Sequence, residues 1–503
     1  MPNETNFIKL LGLAMLGYIL LILGHGYVFG HLGTMETFPY LKKLTDPTLY
    51  PNDFYIDGIQ SQFPDVRWIF VQVLRILGIH GAWTAFLAHI VVSVFLIIGM
   101  MKIVLLFSKN LTTAFLATMM TLLILYNHNL GGNELYYNSL APSLLAKSIG
   151  IWSIYFLLQK RISIAIILLI PTTFIHPMVG IQLFIIGIII TFGMALDSKK
   201  ESNKPFPWLL VGLYLVTAGA WIAFLQRSFS DSSVASAKIF KILNFRLGHH
   251  YFPSEYPIKE IFLLVPFFIL GWWFFIKRNK TLFWFYSISI LGLIVYTLGV
   301  EFAQISAILS AQWFKTTIWL KFFSSIALFV IIEEKLLSKV TFLRKLYSPT
   351  TAIVFIGLAI FLLVKLPQRQ PTTLDLPWRG AYNDRIKIAL LAKKLTPKDA
   401  LFITPTDFTH LKYYGERSTY VDYKATIHFR SKLVEWYDRI GDIYSTPFTA
   451  PNSSNQLMPG AFYISSDTAH LKSLGITHVI AKTNRFEDSK HIGQVGDYLI
   501  IEL

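Results

Sequence analysis

Four carboxylates, Glu36, Asp46, Asp53 and Asp57, fall within GTMETFPYLKKLTDPTLYPNDFYIDG at residues 33–58. A carboxylate held against a hydroxyl can act as a general base in group transfer, and loops carried by a rigid scaffold often supply such groups. Asp46-Pro47 and Asn52-Asp53 are also ordinary turn formers, so a purely local role stays open for them. A second stretch, KIFKILNFRLGHHYFP, carries Lys238, Lys241, Arg246, His249 and His250. Cations so grouped suit a phosphate, Arg246 best through its planar fork; a solvated basic loop is the alternative.

Other residues could complete a substrate site. Asn133 and Glu134 stand in a connector without Lys or Arg, so Glu134 needs a hydroxyl, amide, metal or water partner unless it is simply solvated. Glu301 and Gln304 follow an apolar run, and a carboxylate near lipid must pair or face a polar cavity unless the run ends before it. His176 precedes Pro177, where it can cap a helix as readily as carry a proton. His249 and His250 are adjacent and lack an HExxH-type companion, so no metal ligand is assigned, and a divalent cation is left open as the one cofactor. Downstream, Asp407, Arg417, Asp422 and Lys424 flank Tyr413, Tyr414, Tyr420 and Tyr423. That mixture suits a glycan acceptor or a structural rim.

The elements that must position these residues are hydrophobic. The chain has 503 residues, 54% apolar and 15% charged, well away from the roughly 25% charge of a soluble domain. It has no cysteine, so thiolate catalysis, disulfides and cysteine-ligated metals are excluded. Residues 367–503 hold 17 basic and 14 acidic side chains, so most of the +16 excess lies among the apolar segments before them. Runs of spanning size are expected at 7–24, 83–107, 111–126, 143–159, 161–176, 178–196, 207–226, 260–276, 281–300, 314–332 and 350–366. The first has no small-residue cleavage site after it and reads as a retained span.

Alternate connectors carry 14 Lys and Arg, from Lys102 and Lys109 to Arg344 and Lys345, while the short connectors between them carry none. By the bias of cations toward the cytoplasmic side, the N-terminus is cytoplasmic, and an odd span count puts 25–82, 227–259 and the C-terminal part outside. The basicity is then a topology signal and does not argue for nucleic acid. Gln62–Gly78 is too short and too charged to cross; it is expected to lie at the interface, Arg67 and Arg75 sharing a polar edge above Trp68, Phe70 and Leu74. After residue 366 a small α/β domain is expected, with helices at 386–394 and 432–440 and strands at 400–404, 477–481 and 498–503. No Gly-rich phosphate loop follows the early strands, so a Rossmann site is not supported.

An early acidic loop, an interfacial helix, many spans and an α/β tail together resemble the GT-C class of membrane glycosyltransferases. DPTLYPNDFY at 46–55, GGNELYYNSLAPSLLAKSIG at 131–150, the His176-Pro177 span end and FITPTDFTHLKYYGERSTYVDYKA with EWYDRI in the tail look like an uncharacterised bacterial multi-span family related to that class. The resemblance implies sugar transfer at the outer face of a bacterial plasma membrane from a polyprenyl-phosphate donor to a lipid, glycan or protein. It also implies an acidic base in the first outer loop: Glu36 or Asp53 by position, Asp46 third. Met35-Glu36 stands where many members have an adjacent Asp-Glu pair. Arg246, His249, His250 and Lys238 would then meet the lipid phosphate, and Asn133, Glu134, His176 and Glu301 the substrate. The other readings are a transporter or flippase of lipid-linked precursors, disfavoured by the few ionisable residues seen within spans, mainly His89, and a non-catalytic envelope assembly partner.

Overall fold

The computed structural model describes residues 7–198, 207–229, 234–337, 373–444, 464–482, 486 and 488–503. Among these, seven helices are long and apolar enough to cross a membrane: Phe7–His25, Ala82–Val104, Pro177–Leu196, Trp208–Arg227, Ile258–Ile276, Lys280–Phe302 and Ser306–Lys335. The protein is therefore a mostly helical integral membrane protein, with a small C-terminal sheet. Three of the expected spans form shorter apolar helices, Leu111–Ile124, Pro142–Leu158 and Ile162–Ile175. At about 1.5 Å per residue they fall short of the roughly 30 Å hydrocarbon core. The expected span at 350–366 lies outside the described residues.

The described contacts gather the chain into two compact units. One comprises residues 1–27, 87–222 and 248–374. At its centre the helix Thr317–Ile332 is buried over most of its length and packs on Ile258–Ile276 and Leu111–Met119. Pro142, preset for a first helical turn, opens Pro142–Leu158, which runs against Ile162–Ile175. The next helix comes so close to that pair that a Cβ on Gly180 would overlap Thr173.

The second unit comprises residues 28–86, 223–247 and 375–503. Its composition break at residue 367 is thus not where the packing divides, because the early loop folds together with the tail. The five-stranded sheet has the order β2 (Ser418–Thr419), β1 (Leu401–Ile403), β3 (His478–Ala481), β5 (Tyr498–Glu502), β4 (Lys490–Val495). β1 is parallel to β2 and β3, and β5 is antiparallel to β3 and β4. The helix Asp384–Leu395, capped by Asn383, lays Ile388, Ala389 and Ala392 on Phe402, Ile480 and Ile500 to make the core.

The Gln62–Gly78 stretch forms the helix Trp68–Ile76, but not with the expected polar edge. Arg67 is buried at its start, while Phe70, Val71 and Leu74 pack into the protein against the Phe38–Thr45 helix. Its exposed apolar residues are instead Ile76 and Leu77 at the far end. The two arginines diverge because Arg67 finds a carboxylate partner within the unit, whereas Arg75 remains at the surface.

Candidate functional site

Residues 28–86, 223–247 and 375–503 contain all the early carboxylates, and their surroundings differ. Asp53 caps Phe54–Ser61 by accepting the Ile56 N–H at 3.0 Å, and the same oxygen accepts from Lys412 Nζ at 2.7 Å. Its other oxygen accepts the Thr419 N–H at 2.9 Å and the Thr419 hydroxyl at 3.2 Å. The Asp53 side chain is 0% exposed. The Thr419 hydroxyl is shared with Asp422 at 2.9 Å, but with donors on both oxygens and no exposed surface Asp53 serves as an anchor between the early loop and the tail and is closed to an incoming hydroxyl. Lys412 also pairs with buried Asp422, and the two carboxylates raise its pKa against the opposing effect of burial.

Asp46 is at the surface. Thr48 donates its backbone N–H at 2.9 Å and its hydroxyl at 2.5 Å to one oxygen, and Lys398 reaches the other at 3.1 Å. The Thr48 donors, with Lys398, hold its carboxyl down at about 2. Such a turn carboxylate is committed to its own exposed loop; Asp46→Asn is expected to leave the thermal melt of the detergent-solubilised protein nearly unchanged. Asp57 is at the surface, where partial desolvation by its neighbours, then the Asp53 charge, shifts its carboxyl upward.

Glu36 differs from these. One oxygen, Oε2, receives Arg67 Nη2 at 2.5 Å and Nε at 3.0 Å, while Oε1 has no hydrogen-bond partner among the described residues. The Glu36 side chain is 23% exposed. Arg67 is further held by Asp65, whose Oδ1 accepts the Arg67 backbone N–H at 2.8 Å. Arg246 and Lys424 lie close enough to Glu36 to interact electrostatically with it. Arg246 donates Nε to the Tyr423 carbonyl at 2.9 Å and Nη2 to the Lys424 carbonyl at 3.3 Å, with its guanidinium 4.8 Å from the Tyr423 ring centre. Desolvation and the like charge of Arg246 lower the Lys424 pKa, opposed by Glu36. Glu36 is thus paired directly with Arg67 and feels the charges of Arg246 and Lys424, an arrangement suited to a proton acceptor near an anion. Lys238 takes another route and faces exposed Asp438 at 3.5 Å.

Elsewhere in this unit, His31 Nε2 meets Asp375 at 2.6 Å and the His31 ring stacks on His410, centres 4.1 Å apart. Burial, then the charges of His31 and Arg385, keep the His410 pKa well below the ordinary 6.5. The unfolded chain therefore binds this proton more tightly than the folded one, so stability is full above pH 6.5 and falls as pH drops below it. Thermal melts of the detergent-solubilised protein are expected to lose stability from pH 7 to pH 5, and His410→Gln to flatten part of that slope.

The other unit holds Asn133, Glu134, His176, His249, His250 and Glu301. Glu134 Oε1 accepts from the Asn127 N–H and from Asn129 Nδ2, both at 2.8 Å, and Oε2 from Lys321 Nζ at 2.7 Å. Asn133 Oδ1 accepts from Lys147 Nζ at 2.7 Å and from the Tyr137 hydroxyl at 2.8 Å; Lys147 also donates to the Glu134 carbonyl. His250 Nδ1 lies 3.2 Å from the Gly131 carbonyl. His176 is a helix-end residue, its Nδ1 3.4 Å from the Val179 N–H. Glu301 accepts the Ser254 N–H at 2.8 Å. Arg246 and the two histidines, neighbours in one basic stretch of sequence, belong to different units, the helix Ser236–Tyr251 being interrupted by non-helical backbone at Leu247. Among the described residues no group of three or more His, Asp or Glu could hold a metal ion.

Sequence reasoning missed Arg67 as the Glu36 partner, and it missed Lys147 and Lys321, whose side chains are at most 1% exposed within apolar helices. The signal for the lysines was present: a cation inside a spanning run has to be paired.

Residues 383–443 match a family described as a domain of unknown function, DUF6798. That match covers the first core helix, β1, β2 and the helix Arg430–Ile443 of the tail. No curated protein matches the chain.

Proposed function

We propose that this protein is a membrane glycosyltransferase of GT-C type, moving a sugar from a polyprenyl-phosphate donor to a lipid, glycan or protein acceptor outside the cytoplasm. The observation that carries this reading is Glu36, paired through Oε2 with Arg67, its Oε1 open among the described residues, and within electrostatic reach of Arg246 and Lys424 in a unit built from the early loop and the tail. In this reading Glu36 takes the proton of the acceptor hydroxyl as its oxygen bonds to the sugar C1. The bond from C1 to the phosphate oxygen breaks, and its electron pair leaves with the polyprenyl phosphate. Arg246 and Lys424 stabilise the charge on the departing phosphate.

If the three shorter apolar helices and the run at 350–366 also cross, the span count is eleven, and with the lysine pattern this supports a cytoplasmic N-terminus and an outer tail in a bacterial plasma membrane. Reporter fusions at residues 60 and 240 should both report from the outer side, and opposite sides would remove the site from this account. The activity test is transfer of labelled sugar from polyprenyl phosphate to membrane acceptors by the purified protein in vesicles, lost in Glu36→Gln.

A transporter or flippase of lipid-linked precursors is the second reading, and one observation favours it. Glu134, Lys147 and Lys321 form a charged network buried among apolar helices, and such groups commonly mark transport pathways. Movement of labelled lipid across vesicles without sugar transfer would support it.

A further inference from the structure

The unit of residues 1–27, 87–222 and 248–374 carries more positive charge than its carboxylates neutralise at one place. Lys321 is saturated by Glu134 at 2.7 Å, the Leu125 carbonyl at 2.9 Å and the His128 carbonyl at 3.0 Å. Glu260 receives His128 at 3.0 Å. Lys147 has the neutral Asn133 amide oxygen and the Glu134 carbonyl as acceptors and the Tyr137 ring 4.5 Å away, so none of the described groups that touch its ammonium is a carboxylate. Lys315 is near enough to Lys147 to act on it electrostatically, and its ammonium has no hydrogen-bond partner among the described residues.

The backbone beside these lysines is also rich in donors. Gly131 and Gly132 adopt φ of +85° and +60°, the left-handed region that glycine enters without steric cost. The chain needs glycine here for a second reason: a Cβ on Gly131 would meet Phe314 and the Lys315 backbone, and one on Gly132 the rings of His249 and His250. The N–H groups of Gly131 and Gly132 have no acceptor among the described residues. A cation without a carboxylate in contact is costly to desolvate, and the two unpaired amides of a loop that passes the Lys315 backbone add donors suited to an oxyanion.

We propose that Lys315, Lys147 and the Gly131–Gly132 amides form a binding site for a phosphate-type anion, either a lipid phosphate headgroup or free pyrophosphate. It is a second anion site, apart from the leaving-group phosphate assigned to Arg246 and Lys424, and it stands whether or not the protein transfers sugar. His249 and His250 shape its wall by packing on Gly132.

Full-length protein in lipid nanodiscs, titrated by calorimetry with inorganic pyrophosphate and, separately, with nanodiscs carrying polyprenyl phosphate, tests this. Saturable binding of at least one probe is expected, weakened tenfold or more by Lys315→Gln and largely kept by Lys315→Arg. Gly132→Ala, which removes no charge, should also weaken it. Binding of polyprenyl phosphate that pyrophosphate does not displace assigns a lipid headgroup; binding of pyrophosphate alone assigns a free anion. No saturable binding of either probe by the wild type overturns the proposal, whatever the variants do, and so does unchanged affinity in folded Lys315→Gln. Glu36→Gln should keep this binding, so loss of transfer with binding intact separates the two sites.

Discussion

Glu36→Gln is expected to reduce sugar transfer by about 10²- to 10⁴-fold, the usual contribution of a positioned general base, with the protein still expressed and folded. The amide keeps an oxygen for Arg67, which donates to Glu36 Oε2 through Nη2 and Nε, so the loop should hold its place. What is lost is the ability of Oε1 to take a proton. Glu36→Asp should act differently: the carboxylate survives but retreats from both Arg67 and the acceptor, giving a partial loss. Rates in vesicles, normalised to folded protein by size exclusion, check both. A folded Glu36→Gln with wild-type rates removes Glu36 from the mechanism.

The largest stability effect is expected from the buried group that ties the early loop to the tail. Lys412 is 1% exposed and pairs with Asp53 at 2.7 Å and with Asp422. Lys412→Met leaves two carboxylates buried without their cation, and breaking such a pair costs about 3–5 kcal/mol, a large part of the roughly 5–15 kcal/mol that holds a typical fold. Thermal melts in detergent should show a strong loss, and proteolysis should open the early loop. The pH dependence has a definite sign. The raised pKa of Lys412 means its contribution is fully present below the ordinary lysine value of 10.5 and is lost only as pH climbs beyond that. The deficit of Lys412→Met should therefore be constant between pH 7 and 9. A melt unchanged by Lys412→Met would mean the pair does not anchor the loop.

The local parts of this architecture were readable because they repeat at short range. Apolar runs gave the helices, and the tail elements at 386–394, 400–404, 432–440, 477–481 and 498–503 coincide with Asp384–Leu395, β1, Arg430–Ile443, β3 and β5. β4, Lys490–Val495, was not read: it pairs on one side only and is mostly polar or half exposed. The site was less legible because its defining contacts join residues far apart in sequence. Asp53 looked like a free acid in a turn, and nothing near it in sequence shows that Lys412, 359 positions on, closes over it. Arg67 looked like one edge of an interfacial helix, and only the packed unit reveals its carboxylate. Lys147 and Lys321 were legible in principle, as cations set in PSLLAKSIGIW and TIWLKFF; their placement weakens the argument that the spans lack ionisable groups.

Mass spectrometry of envelope glycans and lipids from cells with the protein, without it and with Glu36→Gln tests the sugar-transfer reading most directly. The account predicts one glycan or glycolipid species that carries an added sugar only in the wild type, with its unmodified acceptor accumulating equally in the other two. Identical profiles in all three, or a variant that matches the wild type while the deletion does not, would contradict it.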